Sequence, residues 1–90
     1  MQLSTNQKRY LRTIAHGLDP VVMVGQKGVT PSLLKELDGA LAHHELVKVK
    51  LSDADREDRA ETIELLREAS HASLVQAIGR IACFFRRNPK

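Results

Sequence analysis

Apolar positions along this chain follow two rhythms, one near every third or fourth residue and one at every second, and the changes between them mark seven elements. In "LSTNQKRYLRTIAHG", Tyr10, Leu11, Ile14 and Ala15 recur at helical spacing and predict a first helix. Ser4 and Gln7 form a capping-box pattern at its start, Gly17 is placed to close it in a left-handed conformation, and Pro20 prevents continuation. "VVMV", residues 21–24, is short, continuous and β-branched, the pattern of a strand buried on both faces. Thr30 as N-cap and Pro31 as first helical residue open a second helix. Its apolar stripe is Leu33, Leu34, Leu37 and Leu41, and it ends near His43.

"LVKVKL" then alternates, with Val47, Val49 and Leu51 on one face and Leu46, Lys48 and Lys50 on the other. Residues 53–69 predict a third helix whose early acids complement the helix dipole, with a thin stripe of Ala60, Ile63, Leu66 and Ala69. "SLVQAIG" and "RIACFFRR" predict two strands around Gly79, a hairpin lacking an Asn-Gly or Asp-Gly turn. The order α-β-α-β-α-β-β predicts an α/β (α+β) fold: a small mixed four-stranded sheet carrying three helices through right-handed crossovers. At 90 residues the chain is expected to be one domain, with residues from about 86 to 90 a frayed tail.

Composition narrows this picture. An apolar content of 42% supports a packed core, but Tyr10, Phe84 and Phe85 are the whole aromatic inventory, so aliphatic side chains must fill it. Phe84 and Phe85 point to opposite sides of the last strand, so one belongs to the core. Cys83 is the single cysteine; it excludes an intramolecular disulfide, fits a reducing compartment and reads as a small buried hydrophobe. No run of about 18 apolar residues is present, and the N-terminus lacks the pattern of a signal peptide, so the expected location is the cytoplasm.

Charge is unevenly spread. Residues 1–51 carry +3, residues 52–71 carry −4, and residues 72–90 carry +4 with no acid at all. A basic surface facing a polyanion, with the acidic segment turned elsewhere, is one reading of that asymmetry; a solvated surface is the other.

The junction "VVMVGQKGVTPSLL" carries the most chemistry. A strand that passes to a helix through Gly25 and Gly28 leaves orphan amides and the positive end of the helix dipole facing outward, the elements of an anion site. Lys27 adds a point charge at the tip. The loop is too short for G-x-x-x-x-G-K-S/T and lacks the lysine after its second glycine. It also lacks a glycine of the dinucleotide fingerprint, although Glu45 lies about 20 residues on, as that pattern requires. The bare G-x-x-G that remains is used by KH domains to clamp a nucleic-acid backbone, and it is equally the sequence of a tight turn.

From Leu3 to about Arg87 the chain resembles the CRM domain family (chloroplast RNA splicing and ribosome maturation), in its bacterial stand-alone YhbY-like form. The resemblance rests on "LSTNQKRYLRTIAH", "PVVMVGQKGVT", "ALAHHELVKVKL" and "VQAIGRIACFFR". Phe85-Arg86 stands where similar sequences often have Tyr-Arg. The resemblance implies a fold similar to the C-terminal domain of translation initiation factor three and an RNA-binding G-x-x-G loop. It further implies association with precursors of the large ribosomal subunit, hence with ribosomal RNA, pre-ribosomal particles and ribosomal proteins.

The candidate RNA-binding set is then Gly25, Gln26, Lys27, Gly28 and Thr30 at the loop, and Lys48 and Lys50 on the second strand. Arg80 and Arg86 in the C-terminal segment, and Lys8, Arg9 and Arg12 on the first helix, complete it. Each cation also reads as solvated surface, with the lysine stems covering apolar area. His43 and His44 read as C-terminal dipole partners, because neighbouring histidines at a helix end seldom share a metal and no third ligand is suitably spaced. Three aromatics do not make a stacking platform of the RRM kind. No metal, cofactor or catalytic constellation is expected. Two alternatives remain: a small phosphate-ligand enzyme with His16 or His43 as its acid or base, and an adaptor whose acidic third helix docks a basic protein.

Overall fold

The computed structural model describes residues 3–52 and 56–88. Its elements follow the predicted order: α1 (Thr5–Ala15), β1 (Val22–Met23), α2 (Pro31–His44), β2 (Leu46–Lys50), α3 (Arg56–Ser70), β3 (Ser73–Ile78) and β4 (Ile81–Phe85). The four strands form one mixed sheet in the order β1-β2-β4-β3, with β1 parallel to β2 and the other pairs antiparallel.

Alternation along β2 sets the layers. Val47, Val49 and Leu51 turn to one face, where they pack with Val22, Leu37, Leu41, Leu66 and Phe84 between the sheet and helices α2 and α3. Leu46 turns to the other, where Leu11 and Ala15 of α1 meet Val75 and Cys83 in a smaller cluster. The aromatic pair divides as expected, Phe84 into the first core and Phe85 against the second. A register shift between Leu74 and Gln76 in β3 lets both Val75 and Gln76 serve the α1 side.

Several local expectations change for physical reasons. The capping box of α1 is formed, Ser4 N donating to Gln7 Oε1 at 2.8 Å and Gln7 N to Ser4 Oγ at 3.1 Å. Tyr10 and Ile14 are nevertheless exposed, because α1 lies alone on its face of the sheet and only the narrow line Leu11–Ala15 is covered. Gly17 is not left-handed; the helix end tightens instead through Gly17 N to Ile14 O and Leu18 N to Ala15 O. "VVMV" is not buried on both faces. β1 is an edge strand covered by α2 on one side, so Val22 and Val24 are buried while Val21 and Met23 are exposed.

In α3 the buried line is Leu66 and Ser70, with Ile63 packed against the core, and Ala60 and Ala69 are exposed. The Ser70 hydroxyl makes its burial tolerable by donating to Leu66 O at 2.6 Å. Residues 53–55, the expected start of this helix, lie outside the described residues. The hairpin turns on Gly79-Arg80, with φ of 57° at the glycine, so a Gly-X pair supplies the turn that Asn-Gly would.

The C-terminal segment is tied down through Asn88 rather than frayed from residue 86. Arg86 N donates to Glu45 O, Asn88 N to Glu45 Oε2, and Asn88 Nδ2 to Ala42 O, all within 2.7–2.9 Å.

At the end of α3, His71 adopts φ of 57° while its amide bonds to Glu68 O and the Ala72 amide reaches Arg67 O. This is the Schellman arrangement with histidine in the position glycine prefers. An L-residue in the left-handed region is strained by about 1–2 kcal/mol, part of which glycine's greater freedom in the unfolded chain offsets. His71→Gly is therefore expected to stabilise the domain by about 0.5–1 kcal/mol in urea unfolding; a loss of stability would show that the exposed imidazole contributes more than the backbone strain.

Candidate functional site

The glycine loop sits at one end of the sheet. Parallel pairing of β1 with β2 sets Met23 beside Lys50, and antiparallel pairing sets Lys50 beside Ile81 and Ile81 beside Ile78. The loop leaving β1, the end of β2 and the Gly79-Arg80 turn therefore share one rim. Two backbone bonds lace that rim together: Val24 N to Lys50 O at 2.8 Å, and Leu51 N to Arg80 O at 2.6 Å.

Within the loop, Gly28 N donates to Gly25 O at 3.0 Å, closing a four-residue turn with Gln26 and Lys27 at its tip. The two glycines differ. Gly28 has φ of +72°, a backbone conformation that a side chain would strain. Gly25 has no such φ, and a Cβ built there would meet nothing within 4 Å, so the chain itself does not require a glycine at that position. Thr30 caps α2, its Oγ1 accepting from Leu33 N at 3.1 Å, and Pro31 follows as the first helical residue. Among the described residues none accepts from the amides of Gln26, Lys27, Val29 or Ser32.

The helix dipoles reinforce the asymmetry. α3 carries Glu57 and Asp58 in its own first turn, whereas the first turn of α2 carries no acid. The first turn of α2 thus brings no acid to the amides of Gln26, Lys27, Val29 and Ser32, although Glu36 further along the helix lines the same groove.

The candidate cations fall into three places. Lys50 and Arg80 stand on the rim with Gly25, Gln26, Lys27, Gly28 and Thr30. Lys48 lies one row further down the sheet on the α1 side, and Arg9 and Arg12 border the same open face with Thr13, His16 and Gln76. Lys8 is turned away from them, toward a groove that it lines with Arg67, Glu68 and His71.

Arg86 lies just past the opposite end of β4, five residues or about 17 Å from Ile81 at the rim. Its guanidinium holds the fold together: Nη1 donates to Asp38 Oδ1 at 2.7 Å and to Ser70 O at 2.9 Å, and Nη2 to Asp38 O at 3.1 Å. The side chain is only 24% exposed. No local pattern signals that pairing, because Asp38 and Arg86 are 48 residues apart.

Acid–base candidates do not gather at the loop. The shallow groove beside it has Lys27 and Glu36 as its titratable lining, and neither His16 nor His43 belongs to it. His43, like Glu45, lies at the far end of α2, about 20 Å of helix away, which separates that carboxylate from the place a dinucleotide ribose would need it. Burial pushes the Cys83 thiol up, with only partial opposition from the Lys48 ammonium, so it stays neutral in its strand. No group of three or more metal-ligating side chains is found among the described residues, and none of their helices is long and apolar enough to cross a membrane.

The family model for the CRS1/YhbY (CRM) domain matches residues 3–86. A probable RNA-binding protein of Pseudomonas aeruginosa is 44% identical over 90 residues, covering 100% of this chain and 86% of its own. An RNA-binding protein of Haemophilus influenzae is 46% identical over 84 residues, covering 93% of this chain and 85% of its own. Among solved structures, that of a hypothetical protein from Staphylococcus aureus, described as a candidate RNA-binding protein, superposes with a TM-score of 0.86 at 36% identity. It covers 99% of this chain and 93% of the other.

Removing Arg86 tests its placement. Arg86→Ala is expected to lower stability by about 1–3 kcal/mol, the scale of charged hydrogen bonds lost from a partly buried site. A urea midpoint equal to that of the unsubstituted protein would show that the clamp contributes nothing.

Proposed function

The chain belongs to the CRS1/YhbY (CRM) domain family, and from that membership and the geometry of its glycine loop we propose that it binds RNA, as a non-catalytic factor associating with precursors of the large ribosomal subunit. The Gly25–Gly28 turn and the start of α2 hold backbone phosphates, with Lys27, Lys50 and Arg80 supplying attraction around them. Lys48, Arg9 and Arg12 extend the field, so binding is led by phosphate contacts and falls steeply with salt.

The observation that carries this reading is Gly25. It has no left-handed φ and the space beside it is open, so the absent side chain serves something that approaches from outside. A phosphate drawn to the amides of this turn is such a group. The names of the Pseudomonas and Haemophilus relatives support RNA as its source. Association with ribosomal precursors follows from the ribosome-maturation role implied by the family resemblance.

The same openness makes Gly25→Asp a clean test, since the fold accepts the side chain while the new charge opposes a phosphate. Binding to a large-subunit ribosomal RNA fragment is expected to weaken about tenfold or more, the scale of a like-charge contact at an interface. Lys27→Ala is expected to reduce the slope of log affinity against log salt by roughly 0.7–0.9, one phosphate contact. Unchanged binding in both variants, with melting unaltered, would remove the loop from the interface.

A second reading rests on α3, where Leu65 is 55% exposed beside the exposed acids Glu61, Glu64 and Glu68. Such a surface suits a basic ribosomal protein. Reversing Glu57, Glu61 and Glu64 to lysine is then expected to abolish co-sedimentation with precursor particles while leaving affinity for naked RNA intact; retained co-sedimentation would dismiss it.

A further inference from the structure

One row of side chains crosses the whole sheet beside the loop. Met23, Lys50, Ile81 and Ile78 are successive cross-strand partners on the α1 side, spanning about 14 Å at the usual strand spacing. α1 covers Leu46, Val75 and Cys83, and of this row only Ile81 packs against that cluster. Met23 is left 65% exposed and Ile78 64%, with Lys50 between them and Ile81 partly covered.

The next row is Lys48, Cys83 and Gln76. A trough opens over it, sharing Ile78 and Ile81 with the first row and running on past His16. Arg9 and Arg12 border its continuation along α1. Among the described residues, no acid lines either part.

Isolated exposed aliphatic residues need no explanation, but here they are aligned, joined to the loop through Met23, and bordered by Lys50, Lys48, Arg9 and Arg12. The ligand that matches is one with flat apolar faces and regularly spaced negative charge. Unpaired nucleotides have both; a duplex hides its base faces in the stack.

Resting on the RNA-binding reading, we infer that an unpaired RNA segment runs from the Gly25–Gly28 turn across the sheet, its bases lying on Met23, Ile81 and Ile78. Its phosphates face Lys50, Lys48 and the arginines of α1. Aliphatic contact tolerates any base, so sequence preference is confined to the one side-chain amide of the trough, Gln76, which can donate to and accept from a base edge. The domain thus recognises a junction, a held phosphate with a splayed single strand beside it, rather than a helix along its length.

The test compares two probes by fluorescence anisotropy: a single strand of about twelve nucleotides of large-subunit ribosomal sequence, and the same strand annealed to its complement. The double variant Met23→Ser with Ile78→Ser alters two exposed side chains, and its melting temperature reports the fold. It is expected to lose about tenfold in affinity for the single strand, the scale of a lost base contact, and less than about twofold for the duplex. Photocrosslinking the unsubstituted protein to 4-thiouridine in the single strand is expected to label the peptides containing Met23 or Ile78.

Equal affinity of the double variant and the unsubstituted protein for the single strand, or an equal loss on both probes, overturns the inference. If Gly25→Asp still weakens binding in that case, the loop reading survives alone. If the unsubstituted protein binds neither probe, it is the RNA-binding reading that has failed.

Discussion

Everything at the candidate site hangs on the pairing of β1 with β2, the shortest element of the sheet with its neighbour. Only Val22 and Met23 are in register with Val49 and Lys50, extended on either side by the bonds Val21 N to Lys48 O and Val24 N to Lys50 O. What makes so short a strand hold is the burial of Val22 and Val24 beneath α2, which fixes its orientation as well as its position. A one-residue slip would send both valines to the open face and bury Met23 instead. The loop would then leave the sheet in another direction, and Lys50 and Arg80 would no longer stand beside it.

The sheet therefore divides the molecule's labour unequally between its faces. The α2–α3 side holds the larger core and most of the large fully buried side chains, among them Phe84, Leu37, Leu41 and Leu66. The α1 side is a partial cover, with a small cluster under the helix and a row of mixed apolar and cationic groups beyond it. Stability resides chiefly on one side, and this frees the other to present Met23 and Ile78 to water without undermining the domain. Arg86 belongs to the stable half, where it joins α2 to the end of α3 from the last strand.

What could be read in the sequence was what is decided over a few residues. The capping box of Ser4 and Gln7, the Thr30-Pro31 start of α2 and the alternation of β2 are local bargains between neighbouring groups, and each is found as expected. The one-sided burial of β1 was not legible, since Val21, Val22, Met23 and Val24 show no polar alternation; being at a sheet edge is a property of the whole topology. Gly17 misled because two short-range bonds close α1 without a left-handed residue, while His71 takes that conformation with no glycine to announce it. At the site, the glycines and Lys27 were legible as a loop. The split of Arg9 and Arg12 from Lys8, and the engagement of Arg86 by Asp38, depend on contacts between distant segments that no periodicity encodes.

The lacing of the rim has a bearing on recognition itself. Because Val24 is bonded to Lys50 and Leu51 to Arg80, three separate chain segments meet as one stiff edge rather than three free loops. Their conformational entropy is given up when the domain folds, so little remains to be lost when a partner arrives. An edge fixed in this way suits a partner that supplies the change of shape itself. A partner docking on that edge would pay for the fit chiefly in its own lost freedom, a cost set by the partner's flexibility.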